Sequence, residues 1–119
     1  MCKTVGVAGL GLIGGSLAKA YKEAGFVVLG CDKEEKTQSY ARLAGIIDGV
    51  LDEESLNRCD LVFLALYPAA AITYIEENRK NFKKKALVMD CCGVKKEVCD
   101  KGFSAAAAED FLFVGIKLL

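Results

Sequence analysis

Apolar residues along this chain fall into short blocks of strand length, separated by longer stretches in which they recur every three or four positions. The first block, KTVGVA at 3–8, ends at glycines and predicts a parallel strand buried on both faces. Beyond the glycines, Leu17, Tyr21 and Ala24 share one side of a helix, with Gly25 at the position of a C′ glycine. FVVLGC at 26–31 predicts the second strand, and EEKTQSYARLA at 34–44 a second helix stopped by Gly45. A short strand is expected in IIDGVL at 46–51, followed by a polar connection and a strong strand, DLVFLAL at 60–66, ended by Pro68. Ile72, Ile75 and Phe82 mark a helix through 71–82, and Lys83, Lys84 and Lys85 read as a solvated link. ALVMD at 86–90 is a fifth strand, 94–109 a helix and FLFVG at 111–115 a sixth strand.

This alternation predicts an α/β fold of Rossmann type: a doubly wound, mainly parallel sheet of about six strands, with helices on both faces and right-handed crossovers. The expected strand order is 3-2-1-4-5-6. The 119 residues suit one domain with a real core. A composition 53% hydrophobic with a single proline argues against disorder.

Charge and cysteine content then remove several classes of function. Sixteen Lys and Arg balance sixteen Asp and Glu, so neither nucleic acid nor a membrane surface is an expected partner. The apolar runs fall short of the ~20 residues of a membrane helix, and the first residues carry no export signature, so a cytosolic protein is expected. The six cysteines, Cys2, Cys31, Cys59, Cys91, Cys92 and Cys99, form no C-x-x-C pair, and the chain has no His. No metal site is expected; Cys31 and Cys59 read as small, mostly buried thiols beside strands.

The segment with chemistry is GLGLIGG at 9–15, in which Gly9, Gly11 and Gly14 satisfy G-x-G-x-x-G between a strand and a helix. The first glycine permits the tight turn, the second admits a pyrophosphate close to the backbone, and the third lets the helix pack on the sheet. Leu10 belongs to the same turn, and the amides of Leu12 and Ile13 at the helix N-terminus are placed to receive phosphate without a cationic side chain. Asp32 lies 18 residues beyond Gly14, at the end of strand two, where a carboxylate can accept from an adenosine ribose hydroxyl. A 2′-phosphate would meet like charge there, so NAD is expected over NADP, with Lys33 softening the preference. Ala65, Leu66 and Tyr67, at the end of the fourth strand, should line the cofactor at the switch point.

Taken together, GLGLIGGSLAKA, GCD at 30–32, AGIIDGV at 44–50, DLVFLALYP at 60–68 and MDCCGVKKEV at 89–98 resemble the nucleotide-binding half of the prephenate dehydrogenase family. That resemblance covers 3–115 and implies an NAD(P)-dependent oxidoreductase of tyrosine biosynthesis. Its members oxidise prephenate or arogenate, with hydride passing to nicotinamide and carbon dioxide leaving. It adds Asp90 and Gly93, from the segment D-x-x-G-V-K, to the cofactor contacts. Many members carry Ser where this chain has Gly93, preceded by Cys92.

The resemblance also implies that no catalytic residue is present. Family members place a catalytic His where Lys117 stands here, and their C-terminal helical domain, which supplies substrate-binding cations and much of the dimer interface, is missing from this chain. The expectation is a single cofactor domain over 1–119 that does not turn over prephenate alone. Apolar surface near FLFVGIKLL makes a homodimer possible. The alternatives are a stand-alone NAD/NADH-sensing module, and the cofactor half of another dehydrogenase or an imine reductase.

Overall fold

The computed structural model describes residues 3–91 and 96–116. Six strands, β1 (Thr4–Ala8), β2 (Val27–Cys31), β3 (Gly49–Val50), β4 (Leu61–Leu64), β5 (Leu87–Asp90) and β6 (Leu112–Gly115), form one sheet in the order β3-β2-β1-β4-β5-β6. Every pairing is parallel. The expected order and fold class are therefore those of the molecule.

Strand alternation divides the apolar residues between two layers. Val5 and Val7 of β1, Val28 of β2 and Phe63 of β4 pack with Ala18 of α1 (Leu12–Glu23) and Ala41 of α2 (Glu35–Leu43). Ala8, Leu29, Val62, Leu64 and Val88 point the other way, onto α3 (Glu53–Leu56), α4 (Pro68–Asn78) and α5 (Lys96–Glu109). A fully buried aliphatic side chain such as Ile75 or Leu64 contributes about 1.5–3 kcal/mol. Gly102 lets α5 approach β6: a Cβ there would stand 2.5 Å from the Phe113 ring.

Three local expectations are corrected. The strand expected over 46–51 is reduced to Gly49–Val50, because the Ile46 and Ile47 amides donate to the Ala41 carbonyl at the end of α2. Asp48 also takes the Val28 N–H with its side chain, and Ile47 becomes a core residue without being a strand residue. The polar connection after it contains a helical turn, α3, closed by a reciprocal cap between Asp52 and Ser55. Pro68, expected to end a strand, instead opens α4 as its first residue, where its missing N–H costs nothing. Among the described residues, no helix is long and apolar enough to cross a membrane.

Candidate dinucleotide cleft

The carboxyl ends of β1, β2 and β4 open into a cleft of about 760 Å³. Its edge is the glycine turn, and each glycine answers to a different constraint. Gly9 has φ +95°, and a Cβ on it would come within 2.3 Å of the Ala65 carbonyl oxygen. Gly14 is closed off by the turn itself, since a Cβ there would fall 1.7 Å from the Gly9 oxygen. Gly11 differs from both: nothing in the protein lies within 4 Å of where its Cβ would be. The fold requires Gly9 and Gly14, whereas the space beside Gly11 is open.

Gly11 is also the N-cap of α1, and no side chain caps that helix or places an acid in its first turn. Gly11, Leu12, Ile13 and Gly14 line the cleft, so the first amides of α1, which have no intrahelical acceptor, open onto it. Backbone amides so placed, with the helix dipole behind them, are able to receive an anion.

Asp32 borders the same cleft at the end of β2. Its Oδ2 accepts the Leu10 N–H at 2.8 Å and its Oδ1 accepts the Glu34 N–H at 2.9 Å. The Asp32 amide donates to Gln38 Oε1 at 3.1 Å. The carboxylate is thus held by backbone on both oxygens, each retaining a lone pair for a ligand hydroxyl. Lys33, Ala65, Leu66 and Tyr67 line the cleft as well, Tyr67 with 82% of its surface exposed.

Two of the expected contacts stand elsewhere. Leu10 does not line the cleft: its side chain is buried in the core over Gly30 of β2, and its amide is spent on Asp32, so it positions that acid. Asp90 is 2% exposed at the end of β5 and is likewise absent from the lining. Alternation along β5 turns it toward α5, where its charge, after burial, helps push the Cys99 thiol upward. Gly93 and Lys117 lie outside the described residues.

The wall opposite β2 was not legible as a site. Ala69, Ala70, Thr73, Tyr74 and Glu77 of α4 line it, while the residues expected to matter in that helix, Ile72 and Ile75, face the core. Cys31 lies half-buried at the bottom of the cleft, and burial pushes its thiol up to about 11. The Tyr74 hydroxyl is likewise raised, mainly by burial and then by the neighbouring Cys31 and Cys59. Cys59 is fully buried before β4. Among the described residues, no group of three or more His, Cys, Asp or Glu is arranged to hold a metal ion.

The family model described as prephenate dehydrogenase, nucleotide-binding domain, matches residues 17–114, a span that begins after the glycine turn. The prephenate dehydrogenase of Lactococcus lactis is 27% identical over 117 residues, covering 95% of this chain and 33% of its own length. An arogenate dehydrogenase from Synechocystis superposes with a TM-score of 0.77 at 26% identity, covering 87% of this chain and 37% of that one. The prephenate dehydrogenase of A. aeolicus, solved with hydroxyphenyl propionate and NAD+, gives a TM-score of 0.71 at 26% identity, covering 97% and 41%. The chain therefore spans 33% of the curated relative it matches.

Proposed function

Since the chain belongs to the prephenate dehydrogenase family, at the level of its nucleotide-binding domain, we propose that the cleft holds NAD in preference to NADP. The observation that carries this reading is the contrast among the glycines: Gly9 and Gly14 are demanded by the fold, whereas Gly11 lines the cleft with open space beside it. A pyrophosphate fits there, received by the amides of Leu12, Ile13 and Gly14 with no lysine or arginine required. Gly9 shapes the turn, and Leu10 orients Asp32 for the ribose of the adenosine half. Ala65, Leu66 and Tyr67 line the cleft at the end of β4, and this reading sets the nicotinamide half beside them.

The preference for NAD rests on charge. The charged side chains among the described lining residues are Asp32, Lys33 and Glu77, two acids and one base, and in this reading Asp32 is the one set against the ribose. A 2′-phosphate entering there meets net negative charge in a partly desolvated site.

When bound, the nicotinamide accepts hydride; the chain itself binds, orients and screens the cofactor. In the complete enzyme, this cleft serves the oxidative decarboxylation of prephenate or arogenate on the route to tyrosine. These 119 residues contain no His to take the ring hydroxyl proton. From the family resemblance we assign Asp90 and Gly93 to the cofactor contacts and Lys117 to the sequence position of the family's His. The 119-residue chain is accordingly a cofactor domain without turnover of its own.

Calorimetric titration tests this. NAD binds saturably and raises Tm with concentration, NADP binds at least about tenfold more weakly, and prephenate with NAD produces no NADH. Absence of saturable NAD binding overturns the reading of the cleft. Turnover by this chain overturns the reading that it has no catalysis of its own.

A further inference from the structure

The cleft is not uniform along its length. One end lies where β1 meets β4, between the glycine turn and Ala65–Tyr67; it then passes the end of β2 at Cys31–Lys33. From there it reaches α4 residues that also border a second hollow, formed by Leu51, Asp52 and Glu53 after β3. Tyr74 and Glu77 belong to both. Along the sheet order β3-β2-β1-β4, the region past Asp32 is therefore the β3 side, away from the switch point.

Resting on the dinucleotide reading above, the phosphates at α1 and the ribose at Asp32 leave one place for the base: between Cys31–Lys33 and the α4 wall. That wall changes character along the helix. Ala69 and Ala70 are small, Thr73 follows one turn later, and Glu77 stands about 6 Å further along the axis, at the i+4 position. Its neighbour on α4, Glu76, pairs with Lys101; across the second hollow Asp52 is taken up by the cap of α3, while Glu53 borders the hollow beside it. Among the described residues, Glu77 makes no ion pair or side-chain hydrogen bond, though it lines the cleft.

We propose that Glu77 is the base-reading residue of the cleft, its carboxylate accepting a hydrogen bond from the exocyclic amine of adenine above the Tyr74–Cys31 floor. A carboxylate accepts and does not donate at neutral pH, so it favours an amine over a carbonyl at that position. The same charge opposes a third phosphate entering the cleft.

Nicotinamide hypoxanthine dinucleotide, in which a carbonyl replaces the adenine amine, is the probe. The wild-type chain binds NAD about tenfold or more tightly than this analogue, the size of one charge-assisted hydrogen bond. Glu77→Ala brings the two within about twofold of each other, chiefly by weakening NAD, and leaves Tm unchanged because Glu77 is exposed. Glu77→Gln also narrows the ratio, by strengthening the analogue, since its amide can donate to a carbonyl. Equal binding of the two dinucleotides by the wild type, or an unchanged preference in Glu77→Ala, overturns the proposal while leaving the cofactor reading intact. Failure of both dinucleotides to bind the wild type overturns both.

Discussion

Asp32 Oδ2 accepts the Leu10 amide at 2.8 Å, tying the carboxylate at the end of β2 to the middle of the glycine turn. One side chain thereby shapes the glycine turn and lines the cleft, so its loss has two separable effects. Asp32→Asn keeps one acceptor where two backbone amides need one, and costs about 1–2 kcal/mol in chemical denaturation. The preference for NAD over NADP falls about tenfold or more in calorimetry, because the opposing charge is gone. An unchanged preference would place nucleotide discrimination elsewhere in the cleft.

The glycines separate folding from binding. Gly14→Ala drives a Cβ into the Gly9 carbonyl oxygen and destabilises the domain by about 3 kcal/mol or more. Gly11→Ser introduces a favoured N-cap residue into open space, and stability stays within about 0.5 kcal/mol of wild type. NAD affinity nevertheless falls about tenfold or more, because the side chain occupies the approach to the α1 amides. Denaturation and calorimetry on both variants check the contrast.

Packing of α5 on β6 depends on Gly102. Gly102→Ala sets a methyl 2.5 Å from the Phe113 ring, and Phe113 is itself packed edge-on against Phe103. The ring must move, at a cost of about 1–3 kcal/mol. Gly25, whose added Cβ would meet nothing, makes a useful contrast: its φ of +94° means that Gly25→Ala acts through backbone strain alone. Thermal denaturation of the two variants measures both effects.

Two aspartates make the fold acid-sensitive. The Lys83 ammonium and the Lys3 and Thr4 amides hold the Asp60 carboxyl below its ordinary 3.8, outweighing its partial burial. For Asp48, burial pushes upward, but Lys22 and the Val28 amide together leave it lowered. A carboxyl with a depressed folded pKa contributes stability that is complete above its unfolded pKa and is lost as pH falls through the folded one. Stability therefore drops below about pH 4, and Asp60→Asn flattens that decline when denaturation midpoints are compared across pH.

Cys31 behaves in the opposite sense. Its thiol titrates near 11 against an ordinary 9.0, so its contribution to stability is complete below pH 9 and is lost as pH rises through 11. At about pH 8 it is alkylated at least about tenfold more slowly in the folded chain than in urea, and bound NAD slows it further. Alkylation resolved peptide by peptide gives the rate for Cys31 separately from the other cysteines.

The sheet, its strand order and the glycine turn were legible because their causes are local. Apolar blocks of strand length, the C′ glycines Gly25 and Gly45, and three glycines at one strand end each express a backbone constraint that acts within a few residues. The helix α3 carried a local signal too, the Asp52–Ser55 cap, hidden by its shortness.

What folding alone decided is which side chain of each element meets the cleft. Leu10 reads as a turn residue but is drawn into the core, and its amide is taken by an acid 22 residues away. Asp90 sits at a strand end like Asp32, yet alternation turns it under α5. Thr73, Tyr74 and Glu77 carry no motif, and become a wall only because Ile72 and Ile75 seat α4 on the sheet. Conformation along the chain follows from neighbours in sequence, so the sequence determined the frame and the turn. Contacts across the cleft depend on how helices rotate to bury their apolar sides, and that rotation was settled only when the layers packed.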